Sequence, residues 1–446
     1  MKRMRIVWIT VYFLLPIVPV ALILQTSTFY FRNAFMMVSM VTGVFAYVWL
    51  VNQFILSARP KFIERYFGMD RLYRFHNKMA VVSFFLALAH SQIKERVFGL
   101  EILLSEIALI LFGAIIVFSL LFLGDSFLRK WQPVRALRKF SAEKLRLKFK
   151  VVRFFHNFTL VAAGLLAFHV NQSSAARASL PVRIFYTGYF ALAIGFYVYH
   201  KFIKPMLLRQ NAFEVIDNVK EAPDVQTLKL GAANGEVFGY KPGQFVFVTI
   251  LDKEIGIEEH PFSLSSAPGN RDFITLTIKG LGDFTSRIRE VKTGTRVLVD
   301  GPYGYFSMLN HDAEADLVFI AGGIGITPIL SMLMYLKENQ PDRNVLLLWG
   351  AQQPVDLVRL DEVEALQKEM PNFEIVPFVE RGDDWKGQKG FITREYLTGK
   401  LFSNGSPEKQ RDFYVCGPPI MMEIMIGHLK SLGVEGGHIH FERFAL

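Results

Sequence analysis

Four histidines lie in the apolar N-terminal half of the chain, and they constrain its fold more than any other feature. One pair is separated by 14 residues and the other by 13. At ~1.5 Å rise per helical residue, either spacing covers roughly 20 Å along a helix axis, which is most of a hydrocarbon core of ~30 Å. Two such helices side by side would present two histidine pairs, one near each membrane face. The residues are His76 and His90 in one segment, and His156 and His169 in the other.

The distribution of apolar residues indicates a membrane half and a soluble half. The mean hydropathy is +0.28 although 20% of the residues are charged. Long apolar runs are confined to residues 1–204, and residues 211–446 read as a soluble α/β protein. We expect an all-α bundle of six membrane helices in residues 1–205. The predicted spans are 6–25, 34–56, 73–92, 102–124, 151–170 and 182–203.

The basic residues predict the orientation of this bundle. With a cytoplasmic N-terminus, nineteen lysines and arginines flank the inner ends of the spans and five flank the outer ends. Both termini and the soluble half are therefore expected on the cytoplasmic side of the inner membrane. The net charge of +10 is explained by these loops, and we expect no nucleic-acid partner.

The histidine pairs favour metal ligation over ordinary helix packing. A single intramembrane histidine often forms an interhelical hydrogen bond, but four histidines at two matching depths suit two six-coordinate b-type haems. The inner pair would be His76 with His156, and the outer pair His90 with His169. A spacing of 13 residues leaves a rotation of about 140° between His156 and His169. Their helix therefore needs local unwinding, a π-bulge or a bend, which Gly164 between them would permit, or imidazoles that reach around it. His200 is interpreted as an interfacial residue and not as a ligand.

Residues 211–310 show the alternating pattern of a small antiparallel β-barrel. A strand carrying an aromatic ring and a hydroxyl can flank a flavin ring. A later glycine turn with a threonine at a predicted helix start would suit a pyrophosphate, and a preceding lysine would add charge. These flavin-site candidates are His260, Pro261, Phe262 and Ser263, followed by Lys279, Gly282 and Thr285.

Residues 313–446 alternate strand and helix patterns, as in a nucleotide-binding α/β domain. The run 317–320 predicts a buried strand that enters a glycine turn and then a helix, an arrangement that binds a dinucleotide phosphate. A later strand ends at Cys416, the single cysteine, which excludes an intramolecular disulfide and a cysteine-ligated cluster. For Cys416, a contact with the nicotinamide is favoured over the role of a buried structural thiol. The remaining candidates are Gly322, Gly323, Gly325 and Thr327, with Gly417 and Pro418.

Taken together in this order, the motifs resemble a known family. The segments HPFS, GDFT, AGGIGITP and CGPP, with Glu442-Arg443-Phe444 near the chain end, look like a flavoprotein of the ferredoxin–NADP reductase type. The two histidine pairs resemble the ferric-reductase transmembrane domain. This fusion is the core architecture of NADPH oxidases and transmembrane ferric reductases, and the compact chain is similar to prokaryotic NADPH oxidase homologues.

The resemblance implies FAD, two b-type haems and NADPH as cofactors. It implies that Phe444 is the aromatic ring that covers the flavin and moves when the nicotinamide stacks, although Ala445 and Leu446 follow it here. Electrons would pass from cytoplasmic nicotinamide through FAD and the haems to oxygen outside, giving superoxide. The sequence contains no EF-hand loops or long cytosolic insertion, so no obligatory cytosolic activator is expected.

Three alternatives remain open for the acceptor half of the reaction. The chain could reduce a ferric chelate, serve as a cytochrome subunit that reduces a partner protein, or be a reductase on a haemless membrane anchor. The coenzyme is also open, because the segment after the strand 345–350 has no charge before Asp356 and Arg359 to read a 2′-phosphate. This favours tolerance of NADH, whereas the resemblance favours NADPH.

Overall fold

The computed structural model describes residues 2–26, 33–93, 99–122, 131–143, 154–233, 235–311, 313–402 and 411–443. It divides into two compact units, the first ending at Ile203 and the second beginning at Lys204. Each unit has hydrophobic clusters of its own.

The described part of the first unit is helical. Its helices are α1 (Lys2–Leu14), α2 (Ile17–Thr26), α3 (Ala34–Ser57), α4 (Lys61–Phe67), α5 (Met69–Ile93), α6 (Leu100–Phe122), α7 (Gln132–Glu143), α8 (Thr159–Gln172), α9 (Ser174–Ala178) and α10 (Leu180–Val198). A π-helical turn, Tyr199–Ile203, ends the unit. The first predicted span is two helices that meet at Leu15 and Pro16, where the proline lacks the N–H for a helical hydrogen bond.

Five helical segments of the described residues are long and apolar enough to cross a membrane. They are Arg3–Thr26, Ala34–Ser57, Leu100–Phe122, Phe154–Gln172 and Leu180–Gln210. The predicted span 73–92 lies in α5, which is long enough but less apolar, because His76, Lys78 and His90 interrupt it. Two of these polar residues, His76 and His90, are the predicted ligands, so the predicted ligands themselves lower the hydropathy of α5.

A hydrophobic cluster packs the long helices of the first unit against one another. Val44, Tyr47 and Val51 of α3 are buried there against Phe112 of α6 and Ala163 of α8. Alanine at a helix contact permits close approach of the neighbouring backbone, as in membrane helix packing.

The second unit begins with a short helix, α11 (Lys204–Gln210), and contains two six-stranded sheets. The strands of the first sheet are β1 (Phe213–Ala222), β2 (Val225–Ala232), β3 (Phe245–Ile250), β4 (Glu259–Ser263), β5 (Phe273–Lys279) and β6 (Arg296–Tyr303). They are antiparallel, in the order β4-β3-β6-β1-β2-β5. The sheet curls, because the N–H of Ser265 beyond β4 donates to the carbonyl of Thr275 in β5, the opposite edge strand.

The second sheet is parallel and carries helices between its strands. Its strands are β7 (Asp316–Gly322), β8 (Val345–Ala351), β9 (Phe373–Val379), β10 (Gln388–Lys389), β11 (Arg411–Cys416) and β12 (Ile439–Phe441). The helices are α12 (Thr327–Asn339), α13 (Leu360–Ala365), α14 (Arg394–Leu397) and α15 (Pro419–Ser431). The order β10-β9-β8-β7-β11-β12 reverses direction between β7 and β11, so a crevice opens at their carboxyl ends.

A buried charged group fixes α11 to the antiparallel sheet. The Lys204 ammonium lies 2.7 Å from Asp300 Oδ2 and donates to the Tyr303 hydroxyl at 2.6 Å. That hydroxyl donates to Asp300 Oδ1 at 2.9 Å, and both Asp300 and Tyr303 are buried. At the other end of the helix, Arg296 donates to the carbonyl of Arg209. The start of the second unit is thus anchored on β6 at two points.

We expect Asp300→Asn to destabilise the second unit by about 3 kcal/mol, because it leaves the Lys204 ammonium buried without its counter-charge. Denaturant unfolding of the purified full chain, monitored by the release of its flavin, measures the effect. The control is Arg271→Gln, which breaks an exposed ion pair with Glu236 and should change stability by less than about 1 kcal/mol. Equal effects of the two substitutions would contradict the anchoring role of Asp300.

Candidate functional site

The glycine turn of the parallel sheet lies at the crevice between β7 and β11. β7 ends at Gly322, a 3₁₀ turn covers Gly323–Ile326, and α12 starts at Thr327. Gly323 has a φ of 51°, which a side chain would disfavour. Thr327 donates its hydroxyl to the carbonyl of Ile324 at 3.1 Å, which fixes the turn at the helix start. Its position suits an anionic group at the N-terminus of α12.

The second predicted segment lies directly beside this turn. β11 runs parallel to β7 with Cys416 opposite Ala321. A Cβ added to Gly325 would lie 2.4 Å from the carbonyl oxygen of Cys416, and one added to Gly417 would lie 3.0 Å from Gly322 Cα. A Cβ added to Gly322 would lie 2.8 Å from Pro418 Cδ. The structure therefore brings these predicted nucleotide-site residues together, and only glycine fits the contact.

Cys416 is a neutral thiol in this setting. Its side chain is 1% exposed and joins the hydrophobic cluster beneath the sheet. Burial raises the pKa of the thiol well above its ordinary value, and the nearby charge of Glu442 raises it further. The sulfur can therefore serve as a small contact or a weak S–H donor, but not as a thiolate nucleophile. Its predicted nicotinamide contact stays a prediction.

Two residues near the turn were not predicted as site residues. Trp349 of β8 is fully buried and donates its indole N–H to the carbonyl of Gly323 at 3.1 Å. Glu442, which follows β12, is 4% exposed, and a Cβ on Gly304 would meet its Oε2 at 2.9 Å. The only sequence signals were a tryptophan at a strand end and an acidic residue near the chain end. Neither signal is specific.

The predicted flavin strand is β4, an edge strand of the antiparallel sheet. Its five residues, which include His260, Pro261, Phe262 and Ser263, are all half-buried, so the strand has an accessible side. The His260 ring stacks on Phe284, with centroids 4.1 Å apart and planes 22° apart. This stack joins the predicted flavin strand to the predicted phosphate turn.

The loop after β4 is held from both domains of the second unit. The Tyr240 hydroxyl donates to carbonyls of Ser266 and Ala267, and Ser331 of α12 donates to the Ser266 carbonyl at 2.6 Å. Burial raises the pKa of Tyr240 to about 12, so its hydroxyl stays a donor at neutral pH. This loop is therefore a fixed contact between the antiparallel sheet and the nucleotide domain.

The phosphate turn is partly occupied by its own side chains. Thr285 Oγ1 accepts from the N–H groups of Leu281 and Gly282, each at 2.9 Å. The Lys279 ammonium lies 2.7 Å from Asp356 Oδ1 and 3.5 Å from Asp224 Oδ2. The roles of Gly282, Thr285 and Lys279 at a pyrophosphate stay predictions. Phe444 lies outside the described residues, and its role also stays a prediction.

In the first unit the four histidines form two pairs. The ring centroids of His76 and His156 are 6.5 Å apart, and those of His90 and His169 are 6.4 Å apart. A helical turn containing His156 is separated from α8 by Asn157 and Phe158. Asn157 and Phe158 donate to the third residue before them, as in a 3₁₀ helix. The irregularity expected between His156 and His169 thus lies next to His156.

Three of the four Nδ1 atoms have hydrogen-bond partners on neighbouring helices. His90 Nδ1 donates to the Ser39 carbonyl at 2.7 Å, and His169 Nδ1 to the Glu101 carbonyl at 3.0 Å. His156 Nδ1 lies 3.1 Å from the Ser119 hydroxyl. An N–H on Nδ1 leaves Nε2 with its lone pair, which is the tautomer needed for metal ligation.

Comparison with known proteins identifies the second unit. The profile of the FAD-binding domain matches residues 216–307, and that of the oxidoreductase NAD-binding domain matches residues 319–426. The chain is therefore an oxidoreductase whose C-terminal half is a reductase module of the ferredoxin–NADP reductase type, with an FAD-binding and an NAD-binding domain.

Three curated relatives match about half of the chain. It is 33% identical to the xylene/toluene monooxygenase electron transfer component XylA of Pseudomonas putida over 46% of this chain and 57% of the relative. It is 32% identical to a flavohemoprotein of Bacillus anthracis over 52% and 60%. It is 28% identical to the reductase component of the glycine betaine monooxygenase of Chromohalobacter salexigens over 51% and 62%. The matches thus span less than two thirds of each relative.

We expect Gly325→Ala to lower coenzyme-dependent flavin reduction at least about tenfold while FAD stays bound, because the new Cβ would displace the Cys416 backbone by a distance that a packed core resists. Anaerobic stopped-flow reduction of the FAD-loaded protein measures it. Gly427→Ala is the control, since Gly427 lies in α15 with nothing within 4 Å of an added Cβ. Unchanged reduction by Gly325→Ala would show that the contact is dispensable.

Proposed function

We propose that this protein is a transmembrane NAD(P)H oxidase that moves electrons from cytoplasmic coenzyme through FAD and two b-type haems to oxygen on the other side, giving superoxide. The observation that carries the haem part is the separation of the two histidine pairs. The reductase module supports the coenzyme and flavin part.

The separation of the rings fits an iron ion between two imidazoles. A metal–imidazole bond is about 2.0 Å long and the nitrogen lies about 1.1 Å from its ring centroid, so two rings on opposite sides of one ion have centroids roughly 6.3 Å apart. The two pairs are separated by 6.5 and 6.4 Å. A direct histidine–histidine hydrogen bond would not require the same separation at both levels. The repetition supports ligation at two sites.

The surroundings of His90 show how closely the outer ring is held. Besides the Ser39 carbonyl, its Nδ1 is 3.1 Å from the Ser39 hydroxyl. A Cβ on Gly43 would lie 2.8 Å from the same nitrogen. The ring therefore packs directly on the backbone of α3, one turn from its hydrogen-bond acceptor. Such a contact orients a ligand and fixes its tautomer.

The 19 to 5 distribution of lysine and arginine between the two sets of loops supports a six-helix bundle in the inner membrane, with the reductase module in the cytoplasm. In this orientation His76 and His156 lie near the cytoplasmic face, and His90 and His169 near the opposite face. The histidine-bearing α5 is the sixth span.

In the proposed reaction each cofactor has separate residues. When bound, the nicotinamide supplies a hydride, FAD divides its electron pair and the haems pass single electrons, so one coenzyme reduces two oxygen molecules. The chain's own residues bind and orient. Gly322–Thr327 would hold the coenzyme phosphates, Cys416 would contact the nicotinamide, and His260–Ser263 would flank the flavin ring. No residue is needed as a general base.

Oxygen is the proposed acceptor, and a ferric chelate is the second candidate. A partner protein is the third, supported by the relative named as an electron transfer component. Superoxide-dismutase-inhibitable reduction of cytochrome c, measured beside ferric-chelate reduction with the purified protein, FAD and NADPH, separates the three. Turnover with oxygen alone, without calcium or an added protein, supports the oxidase.

We expect His169→Ala to halve the haem content and to abolish transfer to external acceptors, because the outer site would lose one of its two ligands. Reduction of FAD by the coenzyme should persist, since it occurs in the other unit. Pyridine haemochrome absorbance per chain and anaerobic flavin reduction measure the two effects. His200→Gln is the matched control and should retain both haems.

A second variant protects this test against misfolding. Gly43→Ala should displace the His90 ring and lower the outer haem content, while Gly188→Ala, with nothing within 4 Å of its Cβ, should not. Full haem content and activity in His169→Ala would refute the ligand assignment. Absence of haem from the wild-type protein would leave the haemless reductase as the function.

A specific contact supports NADPH as the preferred coenzyme. Asp356 is paired with Lys279, and Arg359 forms two 2.6 Å bonds to Glu362. The N–H of Arg381, beyond β9, donates to the carbonyl of Gln352 in the loop after β8 at 2.8 Å. Its guanidinium pairs with Glu380 at 3.2 Å, but the side chain is 72% exposed and can be reached by a phosphate. The backbone of Arg381 thus lies beside the loop at which a ribose 2′-phosphate is read.

We expect Arg381→Gln to raise the KM for NADPH about tenfold and to leave the KM for NADH nearly unchanged, because only the phosphorylated coenzyme loses a charge-assisted hydrogen bond. Steady-state assays with both coenzymes at saturating FAD measure it. Arg271→Gln, an equally exposed arginine on the other sheet, is the control. Equal changes for the two coenzymes would assign Arg381 to loop structure only.

A further inference from the structure

Lys279 lies where two parts of the reductase module meet. It is the last residue of β5, in the FAD-binding domain, immediately before the glycine turn. Its ammonium lies 2.7 Å from Asp356 Oδ1 of the NAD-binding domain. Both side chains are mostly buried, with 22% exposure for Lys279 and 17% for Asp356. The pair therefore crosses from one domain to the other in a partly desolvated position.

On the NAD-binding side, Asp356 is part of the loop after β8. Its second carboxylate oxygen, Oδ2, accepts the backbone N–H of Gln353 at 3.1 Å. The Asp356 carboxylate thus stabilises the loop through Oδ2 and binds Lys279 of the FAD-binding domain through Oδ1. This loop follows the second strand of the nucleotide fold, where the ribose of a dinucleotide binds.

On the FAD-binding side, Lys279 is tied to the phosphate turn. The N–H of Gly280 donates to the Asp224 carbonyl at 2.7 Å, and the Asp224 carboxylate lies 3.5 Å from the Lys279 ammonium. Asp224 belongs to the β1–β2 turn, so this turn binds both the Gly280 N–H and the Lys279 ammonium. Burial lowers the pKa of Lys279, but its bonds to the two aspartates more than offset this, and the amine is charged at neutral pH.

Beneath the ion pair the two domains share an apolar contact. Ala222 and Val225, which flank the β1–β2 turn, are buried against Val358 of the NAD-binding domain. Ile324 of the dinucleotide glycine turn packs on the same group. The interface therefore connects three segments that the coenzyme and the flavin would use: the loop after β8, the glycine turn after β7 and the turn after β5.

We propose that Lys279 and Asp356 are a positioning pair that sets the distance between the coenzyme half-site and the flavin half-site, and that Lys279 does not bind the flavin pyrophosphate. The ammonium is directed to the carboxylate that shapes the coenzyme loop. Removing either charge frees that loop from the FAD-binding domain. The coenzyme then binds with its nicotinamide less well placed for hydride transfer. The inference rests on the FAD- and NAD-binding domains and is independent of the haems and of the acceptor.

Lys279→Gln and Asp356→Asn, in the FAD-loaded full chain, test the pair. Asparagine keeps an oxygen for the Gln353 N–H. We expect each variant to slow flavin reduction at saturating coenzyme about fivefold, and the double variant to be no slower than either, because the two residues act through one contact. The dissociation constant of FAD, measured by flavin fluorescence, should stay unchanged. Lys337→Gln is the control, since it breaks a 2.9 Å pair with Glu369 inside one domain.

The FAD affinity of the two single variants gives the decisive result. If Lys279→Gln weakens FAD binding while Asp356→Asn does not, Lys279 holds the pyrophosphate and the proposal is wrong. Additive losses, or no change in the reduction rate, would also overturn it. All readouts precede electron transfer to any acceptor, so the proposed oxidase function can fail while the pair is upheld.

Discussion

The backbone contact between the ends of β7 and β11 is the constraint on which the coenzyme site depends. Gly325 approaches the Cys416 carbonyl and Gly417 approaches Gly322, so no side chain fits between the strands. This contact allows α12 to begin directly at the crevice, with Thr327 at its first turn. A parallel sheet whose order reverses at this point leaves its carboxyl edge open for a ligand. Trp349 of β8 also holds the glycine turn in place by donating its indole N–H to the Gly323 carbonyl.

The histidine pairs show which features of the first unit follow from sequence. The pairing could be predicted, because helical rise converts spacing into distance and the two members of each pair must lie at similar heights. The position of the helix irregularity could not be predicted. Its local i to i−3 bonds at Asn157 and Phe158 add about 20° of rotation per residue relative to an α-helix, in the direction that reduces the mismatch of about 140°. Gly164 lies instead within the regular helix α8.

The second unit was predictable at the level of domains and less so at the level of contacts. Alternating strands and a strand–glycine–helix sequence predicted the two sheets, because these patterns depend on local periodicity. The partners of Lys279 could not be predicted, since Asp356 is 77 residues away and belongs to the other domain. A lysine next to a glycine turn suggests a phosphate site. The sequence does not show that the Asp356 carboxylate lies close to the same lysine in the folded chain. The mean hydropathy of α5 does not mark it as a membrane span, because His76, Lys78 and His90 lower the average.

Two of the contacts between the FAD- and NAD-binding domains differ in physical character. Ser331 and Ser266 are joined by a buried neutral hydrogen bond, which salt does not screen. Lys279 and Asp356 are joined by charge in a partly exposed position, where screening and competition by solvent are stronger. The first contact fixes α12, whose N-terminus carries the glycine turn, against the loop that follows the flavin strand. The second holds the loop that would receive the outer part of the coenzyme. The strength of the charged contact therefore depends on ionic strength, whereas the neutral contact does not.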